Sequence, residues 1–323
     1  MTGVADRNQI RKTVRVIFFS QTMLIILLSS VLLMTFLSPN FLTLRNLFNI
    51  VRQVAVLGIM AIGMTYVIIG KGIDLSISGM LSLCAIVGMK MQNYGFGAVL
   101  VGAIFVGTLC GLLNGYLVGK VKANPIIVTL GTSLVFVSLA LIYSKGRSII
   151  NRTERIYSFF GNENVLGIPV VLLLIIALFL VAGIYLSRSI YARRLYAVGL
   201  NERAALASGI DSSKIVWISY VVQGLFVALA SLVYTSRLNT VRVNIITPYV
   251  FDVITIVVLG GTTLSGGYGS LYKTFIGLIL FGVIQNAMGL MAIPYEFQQM
   301  IKGIVLICAV VYDEFSRKRR MSE

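Results

Sequence analysis

The chain has 323 residues, 58% of them hydrophobic and 12% charged, with no histidine and a net charge of +16. A soluble domain is about 45–50% apolar and about 25% charged, and its buried helices keep a polar face that the long runs here lack; without histidine, His-based triads and the usual zinc sites are excluded. The basic residues lie in short loops between apolar runs, so the charge reads as cationic loops beside anionic lipid rather than as a nucleic-acid surface.

Several runs reach about 18 residues with little or no charge, the length of a membrane span. Alternating short segments, the mark of a membrane β-barrel, are missing. The chain is therefore read as one all-α polytopic membrane domain over 1–323, with about ten transmembrane helices. The first run, Val16 to Leu37, is too long for a signal-peptide core and lacks a small-residue cleavage site, so it counts as a span. The spans are placed at 16–37, 53–70, 75–92, 97–118, 125–143, 168–187, 214–235, 249–264, 271–291 and 297–313. With both termini cytoplasmic, 17 of the 27 lysines and arginines fall inside, which is the favoured orientation.

Between the second and third spans the chain reads "GKGIDLSISG" over 70–79. Its glycines permit a turn. Asp74 can cap a helix beginning at Leu75, with Lys71 as a nearby ion partner. A direct role of Asp74 in a solute path or gate is the competing reading. The three cysteines, Cys84, Cys110 and Cys308, lie inside apolar runs and read as small buried hydrophobes.

Two loops stand out by length, 144–167 outside and 188–213 inside, each about 25 residues and so long enough for a function. The outer one carries Arg147, Arg152 and Arg155, suited either to acids on a partner or to plain solvent. The inner one contains "GLNERAALASGIDSSK". Asn201 is a good N-cap and Glu202 suits the positive end of the helix dipole. Ala204, Ala205, Leu206 and Ala207 favour helix, and Gly209 can end it in the left-handed conformation. Asp211 or Ser212 then caps the next span. This predicts about two turns of helix at the cytoplasmic surface, lying on lipid or docking into a partner's groove. Trp217 and Tyr220, near the inner edge, read as interface anchors.

The stretch "YGFGAVLVGAIFVG" (94–107) is echoed by "YGSLYKTFIGLILFG" (268–282), and "LGGTTLSGG" (259–267) resembles 70–79 in layout. The two helices run in opposite directions in the assigned topology, as in the inverted repeats of transporters. Close packing through small residues explains the same pattern without a repeat. Asn114 and Asn286 sit inside apolar helices and need partners, either another helix or a sugar hydroxyl. Asp252 begins a span after Pro248. The candidate pathway or gate set is thus Asp74, Ser76, Asn114, Asp252, Thr262 and Asn286. No phosphate loop is present, and two aspartates at span borders are thin provision for an ion-coupled carrier, which nevertheless stands as the alternative. The pathway lacks its own engine.

The segments "LSPNFLTLRNLFNI" (37–50), "GIMAIGMTYVIIGKGIDLSISGMLSL" (58–83), "NPIIVTLGT" (124–132), "LYAVGLNERAALASGI" (195–210), "VVLGGTTLSGGYGSLYKTFIGLILFGVIQN" (257–286) and "YEFQQMIKGIVLICAVVYD" (295–313) resemble, in order, the permease subunit of ribose-type ABC importers. The resemblance implies a multi-pass protein of the bacterial inner membrane, paired with a second permease chain as homodimer or heterodimer. It implies a cytoplasmic ATP-binding-cassette ATPase that carries ATP and magnesium, so that this chain binds no cofactor and catalyses no reaction. It also implies a periplasmic solute-binding protein and a cargo of monosaccharides or similar small polar solutes. The segment Asn201, Glu202, Arg203, Ala204, Ala205, Leu206, Ala207, Ser208 and Gly209 then becomes the coupling helix. Three departures from the family pattern stand out: Ile77-Ser78-Gly79 replaces Val-Gly-Ser, Arg203 replaces a glutamate before the alanines, and Val250 replaces a glutamate.

Overall fold

The computed structural model describes residues 22–150, 155–241 and 249–322. Thirteen helices carry the fold among them: α1 (Thr22–Leu37), α2 (Leu44–Ile69), α3 (Ile77–Lys90), α4 (Phe96–Gly115), α5 (Pro125–Ser144), α6 (Arg155–Asn162), α7 (Val170–Arg188), α8 (Ile190–Leu200), α9 (Glu202–Ala207), α10 (Ser212–Leu238), α11 (Tyr249–Leu259), α12 (Leu271–Leu290) and α13 (Tyr295–Ser322). Each expected span meets one helix, with residues 16–21 of the first outside the described part. Among the described residues six helices are long and apolar enough to cross a membrane, namely α2, α4 with its extension, α5, α7, α10 and α12. By contrast, α3 has 14 residues, and the described part of α11 has 11. At 1.5 Å per residue α3 rises about 21 Å, less than the ~30 Å hydrocarbon core.

Local chemistry sets the ends. Thr43 Oγ1 accepts from Asn46 N–H at the start of α2. Asn124 Oδ1 accepts from Ile126 and Ile127 N–H at the start of α5, where Pro125 needs no amide partner. α2 begins nine residues before the expected span, because Thr43 caps its start and one side of its first turns is held, Asn46 and Ile50 being buried with Asn46 bonded to Asn286 of α12. α11 stops at Leu259 rather than 264, since Gly260 and Gly261 close it.

The core is built on α2, buried almost throughout from Val54 to Ile69, with α10 lying against α2, α3 and α4. α4 and α10 approach backbone to backbone, Gly107 facing Gly224 O and Gly111 facing Tyr220 O. Small residues let membrane helices pack this closely. Outward faces of α4, α5 and α7 expose Phe105, Leu109, Ile127, Leu134, Ile142 and Val181, as lipid requires of a helix whose backbone groups are satisfied internally. Cys84 and Cys110 are buried as expected. Cys308 is exposed, because it sits on the outer face of α13.

The described residues of the 144–167 loop are tied down rather than free. Ile149–Ile150 (β1) pairs antiparallel with Thr240–Val241 (β4). Asn164–Val165 (β2) pairs with Ile168–Pro169 (β3). Gly161 N–H donates to Ser236 Oγ at 2.8 Å. Arg147 is exposed; Arg152 lies outside the described residues, as does the Arg155 side chain.

Candidate functional site

Two interruptions face each other at one end of the bundle. α2 closes with Gly70 N–H on Tyr66 O, Lys71 N–H on Ile68 O and Gly72 N–H on Val67 O. α11 closes with Gly260 N–H on Ile256 O, Gly261 N–H on Val258 O and Thr262 N–H on Val257 O. Both are Schellman caps, with Lys71 (φ 66°) and Gly261 (φ 76°) in the left-handed position. The same cap ends α5, where Gly146 N–H reaches Leu141 O, so it marks helix endings in general and does not by itself establish a repeat. The breaks touch directly, since Gly267 N–H donates to Ile69 O at 2.9 Å. They therefore lie at the same end of the molecule and are not exchanged by an inversion. α4 and α12 do run in opposite directions. α4 finishes beside the first break, where Asn114 meets Ser76, and α12 starts beside the second and finishes at the far end, where Asn286 meets the start of α2.

The first break re-enters the bundle. Asp74 is fully buried. Its Oδ1 accepts from Ser76 N–H (2.8 Å) and Ser76 Oγ–H (2.6 Å), and Asn114 Nδ2 donates to Ser76 Oγ at 2.7 Å. The carboxylate closes an Asx turn over Leu75 and Ser76 and does not cap α3 itself, which begins at Ile77 rather than Leu75 with Ser76 as its N-cap and no side-chain cap bond. Leu75 N–H donates to Thr129 Oγ1 (3.0 Å) and Tyr220 Oη–H to Ile73 O (3.0 Å). Thr129 is one turn, about 6 Å, into α5, and Asn114 stands about 9 Å before Lys120, where α4's π-helical extension Tyr116–Lys120 ends. The Asp74–Ser76 stretch is thus recessed below the helix ends. Asp74 Oδ2, Asn114 Oδ1 and Ser78 Oγ are buried without a protein partner. Lys71 does not pair with Asp74; it is exposed while Asp74 is buried.

The other candidates lie elsewhere. Thr262 is buried in the second break with its Oγ1 unpartnered. Close by, Leu264 N–H donates to Asp313 Oδ2 at 3.3 Å. Asp252 on α11 forms a buried ion pair with Lys302 on α13, Oδ2 to Nζ 2.9 Å. Asn286 exchanges two hydrogen bonds with Asn46, 2.8 and 2.9 Å. So Asp74, Ser76 and Asn114 come together with Thr129 and Tyr220, while Asp252, Thr262 and Asn286 occupy separate places. Tyr220 is fully buried and so is no interface anchor; it and half-buried Trp217, whose Nε1–H donates to Leu112 O at 3.1 Å, fasten α10 to its neighbours.

The 188–213 loop carries α9 where it was expected. Asn201 Oδ1 accepts from Ala204 N–H (3.1 Å), Gly209 at φ 77° closes the helix, and Asp211 Oδ1 caps α10 through Lys214 N–H (3.0 Å). From Asn201 to Gly209 all residues are exposed except Ala205, which packs inward. Lys122, in the α4–α5 turn, donates to Glu202, which also accepts from Ser212 Oγ–H. That ammonium, helped by Ser212 and more distantly by Lys71, holds the Glu202 carboxyl below its ordinary value. Arg203 faces solvent with no ion pair among the described residues. The preceding helix α8 was not anticipated.

An apolar groove of about 540 Å³ opens between α7 and α12, lined by Phe179, Leu180, Leu271 and Phe275 among others. A smaller cavity of about 150 Å³ at the end away from the breaks is lined by Gln53, Tyr234, Arg237 and Tyr249. Both carry groups that can recognise hydroxyls, Ser187, Ser270 and Tyr272 in the groove and Gln53, Arg237 and the two tyrosines in the smaller cavity.

A family model described as "Branched-chain amino acid transport system / permease component" matches residues 46–310. The chain belongs to this permease family. It is 38% identical to the ribose import permease protein RbsC of Bacillus subtilis, over 88% of this chain and 89% of that one. It is 34% identical to RbsC of Escherichia coli K12 (91% and 93%) and 30% identical to the D-allose transport system permease protein AlsC of the same strain (87% and 87%). No solved structure matches the chain. As a family member with several apolar helices, it is a multi-pass membrane permease.

Proposed function

We propose that the chain is the permease subunit of an ATP-binding-cassette importer for a monosaccharide or similar small polar solute. It works with a second permease chain, a cytoplasmic ATPase that holds ATP and magnesium, and a periplasmic solute-binding protein. In this reading it lies in the bacterial inner membrane with ten spans and both termini cytoplasmic, binds no cofactor and catalyses no reaction. The observation that carries it is α9: a capped helix with an exposed face, anchored by Lys122 and Ser212 and following directly on α8, which packs against both chain breaks. A helix held in this way suits the role of receiving movement from a motor and passing it to the bundle. The names of the relatives support the sugar class.

The test replaces Leu206, 53% exposed on α9, by aspartate. Loss of ATPase co-purification from a normally folded permease is expected. Ala205→Asp serves as the contrast, because Ala205 is 4% exposed and a charge there disrupts α9 packing itself. Retained ATPase binding and uptake in Leu206→Asp would sink the docking role. The alternative, a carrier driven by an ion gradient, draws on one observation, the unpartnered Oδ2 of buried Asp74. Uptake that survives ionophores but stops without the ATPase separates the two.

A further inference from the structure

Ile69 O belongs to the last turn of α2 and has no partner within the helix; Gly267 N–H supplies one. Gly199, the last residue but one of α8, sits on that hydrogen bond. A Cβ at Gly199 would stand 2.5 Å from Gly267 N and 3.0 Å from Gly267 Cα, and closer still to Ile69 O. Around this point α8 grips both breaks. Leu195 is fully buried with Cδ1 2.9 Å from where a Gly70 Cβ would lie. Tyr196 Oη–H donates to Gly269 O at 2.7 Å. Leu200 packs against Gly267, with Cγ 2.7 Å from where a Cβ would lie there. The next residue, Asn201, caps α9.

We propose that Gly199 is a positioning residue that joins α9 to both breaks, so that movement of the docked helix shifts 70–76 and 260–269 as one body. This rests on the coupling role assigned to α9. Gly199 has no need of the left-handed conformation. Alanine also has the higher helix propensity, so the substitution does not weaken α8 through its backbone preference. The harm done by Gly199→Ala is therefore steric and local: the methyl group wedges the Gly267–Ile69 hydrogen bond apart.

The experiment uses the assembled permease with its ATPase in membranes. Half-buried Ile73 and Leu264 are replaced one at a time by cysteine, as reporters of the first and second break. Maleimide labelling rates are compared without nucleotide and with ATP and vanadate. In the parent protein both rates are expected to change together with nucleotide, by about 5-fold or more for a coupling in the usual allosteric range. In Gly199→Ala, ATP hydrolysis continues and neither reporter responds. Full responses at both reporters in Gly199→Ala would overturn the proposal. Where Gly199→Ala does not assemble, Tyr196→Phe decides. It removes the hydrogen bond to Gly269 O and keeps the ring and the Gly267–Ile69 bond, so the Leu264 and Ile73 responses weaken together by the same factor. A Leu264 response that falls while the Ile73 response stays would overturn the proposal, because the breaks would then not move as one body. If the ATPase fails to bind the parent permease at all, it is the coupling role that fails instead.

Discussion

The buried pair Asp252–Lys302 gives the sharpest quantitative expectation. The two side chains are 5% and 10% exposed and meet at 2.9 Å. Lys302 Nζ also lies 5.5 Å from the Phe281 ring centroid, worth about 0.5–1 kcal/mol more. Lys302→Met leaves the Asp252 carboxylate unpaired inside the α11–α13 contact, where loss of one partner costs about 3–5 kcal/mol. The double variant Asp252→Leu/Lys302→Met removes both charges and leaves similar volume, so its stability returns to within about 1 kcal/mol of the parent. Denaturant unfolding of the purified protein in detergent, arranged as a double-mutant cycle, measures this, with a coupling above about 2 kcal/mol expected. Uptake into proteoliposomes is expected to survive in the double variant, because the pair clamps two helices rather than lining the path. Additive single-variant effects, or a Lys302→Met cost under about 1 kcal/mol, would refute the reasoning.

At Asp74, asparagine keeps the Oδ1 acceptor for Ser76, so Asp74→Asn is expected to fold and transport. Asp74→Ala leaves the buried Ser76 N–H without its acceptor and should cost about 1–3 kcal/mol of unfolding free energy; a well-folded Asp74→Asn with no uptake would assign the charge a direct role. The tie between Lys122 and Glu202 follows acid pH. Because the folded carboxyl titrates below its ordinary value of 4.5, the stabilisation is fully present above that value and fades as pH falls below it. The pair is nearly half exposed, so it contributes no more than about 1 kcal/mol, and Glu202→Gln should flatten this part of an ATPase-binding pH profile. A profile unchanged in Glu202→Gln would show that the pair does not hold α9.

Much of this architecture was readable from residue order, because hydropathy and capping are local. The runs that place the helices and the Asn201, Gly209 and Asp211 signals that bracket α9 each depend on a few neighbouring residues. What could not be read is pairing at a distance. Nothing near Asp252 points to Lys302, 50 positions away, although a lone lysine within an apolar run is itself a sign of a buried acidic partner. Asn46 was hidden in a segment that looked like a loop, and only its contact with Asn286 explains why the helix starts so early. α8 was missed because its arginines mask a buried face formed by Ala192, Leu195 and Val198. The two breaks resemble each other in glycine content, yet their direct contact depends on how α2 and α12 cross.

The brevity of α3 has an electrical consequence. Where a spanning helix is shorter than the hydrocarbon core, a charge crossing beside it meets the whole membrane potential over a shorter distance, in a steeper field. Each elementary charge that crosses exchanges about 2.3 kcal/mol per 100 mV. An uncharged solute exchanges none at any thickness, so the voltage enters the work of such a path only when its cargo carries charge.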